Sequence, residues 1–243
     1  LLTVLTVISG AKNRRRFKNF LLYLLLTLVA IIVIFPLWSA LTISMLSDTQ
    51  VATYPPLLAP TSLYFANFGR ALEQAPLMRY LFNSVVQSTL VMVGLLITAS
   101  LAAYAFAFID FKGRNVLFLV FLSTLMIPWE ATIIPNYLLV RGIGWTDTFM
   151  GLTVPFMATA FGTFLLRQFF LTIPRELQDA ATIDGAGSLR FLLAIVVPLA
   201  RPALGTLAVY SFLQTYNQYL WPLLITNDQQ MRTVQIGIAL LQD

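Results

Sequence analysis

Tyr80-Leu-Phe-Asn-Ser-Val-Val-Gln-Ser-Thr-Leu-Val-Met-Val-Gly-Leu-Leu-Ile-Thr-Ala-Ser-Leu-Ala-Ala-Tyr-Ala-Phe-Ala-Phe-Ile109 runs for 30 residues without a charge. At about 1.5 Å per residue, roughly 20 helical residues cross a ~30 Å hydrocarbon core. Lipid offers no partner to backbone N–H and C=O groups, so the segment must satisfy them itself, as a helix does. The windows 19–47, 148–166 and 202–227 are also free of charge. Window 115–140 is apolar but holds Glu130 between Pro128 and Pro135, which predicts a span whose outer part is broken. The fold class is therefore all-α, a polytopic transmembrane bundle. Five spans are expected, at about 20–45, 82–109, 115–136, 148–168 and 203–225, in a single domain over 1–243.

Composition agrees. Hydrophobic residues make up 58% of the chain and charged residues 10%, against about 25% charged in soluble domains. There is no cysteine and no histidine. That excludes disulfides, Cys/His metal sites, thiol nucleophiles and imidazole bases. A net charge of +5 could suggest nucleic acid, but the placement of the charges points to membrane orientation. With the N-terminus inside, the inner segments hold Lys12, Arg14, Arg15, Arg16, Lys18, Lys112, Arg114, Arg167, Arg175, Arg190 and Arg201. The outer ones hold Arg70, Arg79, Arg141 and Arg232. Basic residues favour the cytoplasmic side, so an N-inside, multi-pass membrane protein is expected. Segment 47–79, punctuated by Pro55, Pro56 and Pro60, then forms an external lid of loops and short helices. Residues 1–8 are apolar but too short to span and are expected to be a tail or an interfacial segment.

The inner connection between spans four and five, a loop over about 171–200, is the most informative segment. It reads Leu171-Thr-Ile-Pro-Arg-Glu-Leu-Gln-Asp-Ala-Ala-Thr-Ile-Asp-Gly-Ala-Gly-Ser-Leu-Arg-Phe-Leu-Leu-Ala-Ile-Val-Val-Pro198. Pro174 suits a first helical turn, and Glu176 in that turn favours the macrodipole. Gly185 supplies a left-handed helix end, Ser188 an N-cap for a second helix, and Pro198 its stop. Ala180 and Ala181 form a compact face flanked by Glu176, Asp179 and Asp184. Small residues allow close approach and carboxylates give direction, which suits docking into a groove of a cytoplasmic partner. The plainer reading is an amphipathic hairpin on the membrane surface.

Asp179-Ala-Ala, Gly185 six residues after Asp179, and Ile195-Val-Val-Pro198 resemble the coupling loop of ATP-binding-cassette importer permeases. The family pattern is Glu-Ala-Ala, three residues, Gly, nine residues, Ile-x-Leu-Pro. Asp179 replaces Glu and Val197 replaces Leu, keeping charge and apolarity. Asp184-Gly-Ala186 looks like the carbohydrate-uptake subgroup and its second, maltose-system-type permease. Phe164-Leu-Leu-Arg-Gln-Phe-Phe170, Ile127-Pro-Trp-Glu130 with Pro135, and Asn217-Gln-Tyr-Leu-Trp-Pro-Leu-Leu-Ile-Thr226 are most similar to subgroup members that carry sn-glycerol 3-phosphate. The resemblance implies a non-catalytic permease subunit for glycerol 3-phosphate or a glycerophosphodiester, with a sugar or polyol as the alternative. It implies that Glu176, Asp179, Ala180, Ala181, Asp184, Gly185 and Ala186 couple to an ATPase. The implied partners are ATPase subunits, a sister permease and an extracytoplasmic solute-binding protein. ATP and Mg would be bound by the ATPase, with no cofactor on this chain, which lacks a G-x-x-x-x-G-K-[ST] loop. The family has six spans, so a sixth is expected after Asp243.

Polar residues inside spans are costly and mark pathways or partners. Glu130 is read as a cavity or gate residue, or else as a solvated group at the outer interface beside Trp129. Gln214, Asn217 and Gln218 share one helical face by spacing, with Tyr219 and Trp221 beside them. This set suits a hydroxyl-rich solute, or alternatively interhelical hydrogen bonds and an interfacial aromatic belt. Asn83, Gln87 and Tyr104 are further candidates. A membrane-embedded enzyme would need a nucleophile or metal constellation that these residues do not make. A self-sufficient secondary transporter would leave the inner helix–turn–helix without a purpose.

Overall fold

The computed structural model describes residues 2–60 and 62–241, and every regular element among them is helical. The chain divides into two compact units, Leu1–Gln74 and Ala75–Asp243.

In the first unit, α1 (Leu2–Ser44) is one helix. Its stretch Arg16–Ser44 is long and apolar enough to cross a membrane. The apolar start of the chain is helical and continuous with it. Segment 45–74 folds back on the end of α1 through α2 (Asp48–Val51) and α3 (Ala66–Gln74), the short helices and loops expected for the proline-punctuated segment. Asn67 Nδ2 donates to the carbonyls of Ser44 (3.0 Å) and Leu46 (2.8 Å), and Trp38 Nε1 donates to that of Leu58 (2.8 Å). Arg70 lies 3.4 Å from Asp48. The hydrogen bond that Arg70 donates to that carboxylate, reinforced by the carboxylate's charge, raises the guanidinium pKa.

The second unit is built on α4 (Leu77–Phe108), an unbroken helix of 32 residues. Ala99, Ala103 and Ala107 are buried at successive i+4 positions, a small-residue stripe that lets neighbouring helices approach closely. Against α4 pack α8 (Ala160–Phe170) and α12 (Arg201–Tyr216), which supply Leu166, Phe170, Ala203 and Leu207 to one core. The remaining elements are α5 (Arg114–Ser123), α6 (Trp129–Gly142), α7 (Phe149–Thr153), α9 (Glu176–Ile183), α10 (Ser188–Phe191), α11 (Val197–Leu199), α13 (Leu220–Ile225) and α14 (Val234–Leu240). A π-helical stretch, Leu192–Val196, joins α10 to α11.

Three of the expected spans are broken rather than continuous. α5, with its 3-10 turn Thr124–Met126, meets α6 at 97°, next to Pro128 as expected. α6 continues to Gly142, beyond the expected limit of 136. The fourth expected span is bent, α7 with Val154–Phe156 meeting α8 at 46°. Pro155 explains this, because it has no N–H to offer the carbonyl of Gly151 and its ring excludes a regular turn there. The fifth span stops at Tyr216 and resumes at Leu220, since Pro222 withholds a donor from Gln218 in the same way.

The carbonyls left over by the bend in the fourth span are taken by side chains. Trp221 Nε1 donates to Gly151 O at 3.0 Å, Gln87 Nε2 to Leu152 O at 3.4 Å, and Thr98 Oγ1 to Met157 O. In an apolar surrounding an unpaired carbonyl costs several kcal/mol by order of magnitude, so these donors permit the bend.

Candidate functional site

The loop between α8 and α12 is a helical hairpin. α9 starts at Glu176, with Pro174 lying before it rather than in its first turn. It ends in a Schellman cap: Ala186 N donates to Ala181 O (2.8 Å) and Gly185 N to Thr182 O (3.0 Å). Gly185 has φ +76°, the left-handed conformation expected there. Gly187, not Ser188, occupies the N-cap of α10 and carries no side-chain cap. The second arm passes Pro198, ends at Leu199 and turns by 81° into α12.

The expected compact face of Ala180 and Ala181 is split by the helix. Ala181 is 6% exposed and packs into the core with Phe108, Phe170 and Phe191, and Ala186 packs against the same core. Ala181 presents no free docking surface, and Ala186 is half-buried. The exposed stripe is Glu176, Asp179, Ala180 and Ile183, which sit at i, i+3, i+4 and i+7. Ile183 is 86% exposed, a large apolar residue between the carboxylates of Asp179 and Asp184. The motif-centred reading missed Ile183. Its position seven residues after Glu176 was the available signal.

The polar residues of the fifth span fall into different environments. Gln214 and Gln218 line an open pocket of about 160 Å³ with Thr159, Tyr210, Ser211 and Thr215, bordered by Val91, Leu95, Phe156 and Phe161. Among these lining residues none is charged. Gln218 Oε1 accepts from Gln87 Nε2 at 3.1 Å, and Gln87 is itself fully buried. Asn217 stands apart. It caps the end of α12, its Nδ2 donates to Leu213 O (2.9 Å), and its Oδ1 accepts from Gln235 (3.4 Å). The expected common face is therefore Gln214 and Gln218 without Asn217. Tyr219 is exposed at the break.

Trp221 does not line the cavity. It is 1% exposed and stands edge-on to Trp129 (5.6 Å) and Phe156 (5.7 Å). Its role is to hold the helix breaks together. Glu130 is exposed in the first turn of α6, where a carboxylate is favoured by the helix dipole, and it is not among the cavity residues. Asn83 of α4 donates to the carbonyls of Gln230 (2.7 Å) and Arg232 (2.9 Å), a structural clamp on segment 229–234. Tyr104 belongs to the apolar core.

Comparison with known proteins identifies this arrangement. Residues 94–243 match the family described as binding-protein-dependent transport system inner membrane component. The sn-glycerol-3-phosphate transport system permease protein UgpE of Yersinia enterocolitica is 42% identical over 212 residues, 85% of this chain and 75% of that protein. UgpE of Rhizobium meliloti is 39% identical over 218 residues, 87% of this chain and 77% of that protein. The structure of a bacterial ABC transporter involved in the import of the acidic polysaccharide alginate superposes with a TM-score of 0.82 at 26% identity, covering 93% of this chain and 80% of that one. The chain therefore belongs to the inner membrane components of binding-protein-dependent transport systems, as a non-catalytic permease subunit of an ATP-binding-cassette importer.

Proposed function

We propose that this permease moves sn-glycerol 3-phosphate or a glycerophosphodiester inward across a prokaryotic cytoplasmic membrane. The UgpE relatives, about 40% identical over most of the chain, support this solute over a sugar or polyol. The observation that carries the path is the convergence of two broken spans on one cavity. Phe156 and Thr159 flank the break between α7 and α8, and Gln218 lies in the break between α12 and α13. Irregular backbone at membrane depth is tolerated where it lines a cavity or is buried in protein. The hydroxyl and amide groups there match the hydroxyls of a glyceryl moiety. With no charged residue in the lining, the phosphate takes its counter-charge from outside this cavity, and the sister permease is the natural source.

In this reading the whole chain works as one transmembrane domain with its N-terminus inside, as the distribution of Lys and Arg supports. α9 seats its stripe of Glu176, Asp179, Ala180 and Ile183 in a cleft of an ATPase subunit, which binds the ATP and Mg. An extracytoplasmic binding protein delivers the solute. The test is reconstitution with the cognate ATPase, sister permease and binding protein, followed by uptake of labelled sn-glycerol 3-phosphate and competition by glycerophosphodiesters and sugars. ATP-dependent uptake displaced by the diesters and not by the sugars is expected. Uptake driven without ATP, or displaced only by sugars, refutes the assignment.

A further inference from the structure

We propose that the push from the ATPase reaches the cavity through α4, and that Phe108 is the positioning residue that receives it. This rests on the proposal that α9 docks on the ATPase. Its new content is the route taken inside the permease.

A helix C-terminus leaves four carbonyls without helical partners. At the end of α4, two late carbonyls are taken by side chains from distant segments. Phe106 O accepts from Arg167 Nε at 3.2 Å, and Phe108 O from Gln178 Nε2 of α9 at 3.5 Å. Just beyond the helix, Asp110 lies 3.8 Å from Arg175, the N-cap of α9. The Phe108 ring meets Phe191 of α10 edge-on, with centroids 5.4 Å apart and planes at 88°. It also contacts Tyr104 (5.4 Å) and Phe170 (6.5 Å). Both arms of the hairpin are thus tied to one helix end, the first by Gln178 and Arg175, the second by Phe191. Ala181 packs beneath them.

The covalent route is softer. The hairpin joins α8 through the turn 171–175 and α12 through an 81° bend at Ala200. Turns absorb displacement, whereas close-packed side chains transmit it. Among the described residues of this unit, α4 is also the one span-length helix without a break. From Phe108 it runs 17 residues to Val91 and 21 to Gln87, about 26 and 32 Å along the axis. Val91 lines the cavity, and Gln87 holds Gln218. A displacement applied at Phe108 therefore arrives at the cavity wall without crossing a hinge.

The chain has no cysteine, which allows a direct test in the assembled transporter. The double variant Asp110→Cys, Arg175→Cys is bridged with a short bismaleimide, and solute uptake and ATP hydrolysis are compared with the unlinked double variant. If the hairpin and the end of α4 move as one body, bridging leaves uptake per ATP hydrolysed unchanged. Loss of uptake in the bridged complex, with the ATPase still bound, overturns the proposal. As a second measurement, Phe108→Ala should retain the ATPase and its basal hydrolysis. Its uptake per ATP should fall by about fivefold, the factor expected from losing one or two aromatic contacts. An unchanged ratio also overturns it. Failure of ATPase docking itself is read separately, from whether the Ile183→Asp complex still retains the ATPase.

Discussion

Gly185 offers the cleanest quantitative test of the hairpin. Its φ is +76°, and a Cβ placed there would meet nothing within 4 Å. Any effect of substitution is therefore backbone strain, with no steric clash to confuse it. An L-residue in the left-handed region costs about 1–2 kcal/mol. That is a factor of roughly 5–30 in the local opening equilibrium. α9 has only eight residues, well below the ~12–15 at which an isolated helix becomes marginal in water. It depends on its cap, so opening at Gly185 should spread through it. Gly185→Asn should be mildest, because Asn visits this region most readily, followed by Gly185→Ala and then Gly185→Val, whose β-branch disfavours positive φ most. Hydrogen exchange of the amides of 181–186 reads this local equilibrium directly. About a 5- to 30-fold acceleration is expected for Ala, more for Val and less for Asn, with solute-stimulated ATP hydrolysis falling in the same order. Gly142→Ala is the control, since Gly142 lies in a helix and also faces open space. Equal exchange in the Asn, Ala and Val variants, or a comparable change in the control, would refute the strain argument.

Gln218→Leu removes the acceptor of the buried Gln87 amide and should impair uptake in an assembled complex, whereas Asn217→Leu should leave it within about twofold, because Asn217 bonds mainly to its own helix; equal losses in initial-rate uptake would return both residues to one face. Gly151→Ala should destabilise the chain by about 1–3 kcal/mol, because its Cβ would lie 2.2 Å from the Trp145 carbonyl oxygen; a thermal unfolding midpoint equal to wild type would show that the α6–α7 turn yields at no cost.

Charge-free windows made the helical, membrane-compatible character of the chain legible, because burial in lipid is a matter of composition. Continuity was less legible. Pro128 stands beside Glu130, whose charge marks the break, while Pro155 and Pro222 lie inside charge-free windows that carry no such mark. A window average does not register that one missing N–H frees a carbonyl four residues back. The Gly185 conformation was readable because it depends on the residue itself. The orientation of Ala180 and Ala181 was not, since side-by-side small residues look alike until the packing of α9 on Phe108 and Phe191 decides which one turns inward. The surroundings of Trp221 were illegible for the same reason. Its indole N–H satisfies Gly151 O, a group that exists as a free acceptor only because of Pro155, 66 residues away in sequence.

The two ends of this permease make opposite demands on helices. The proposed solute path requires that helices stop, so that hydroxyl and amide groups can face a solute, and each stop leaves carbonyls that need donors. Gln87, Thr98 and Trp221 supply them at the bend between α7 and α8. Transmission requires the reverse, a helix that does not yield along its length. α4 has no proline and carries Ala99, Ala103 and Ala107 on its buried face. Gln87 belongs to both arrangements. It sits on the unbroken helix, and its amide bridges the α7–α8 bend at Leu152 and the α12–α13 break at Gln218. A small axial shift of α4 would move one donor relative to both broken spans at once, which couples the position of the helix to the shape of the cavity.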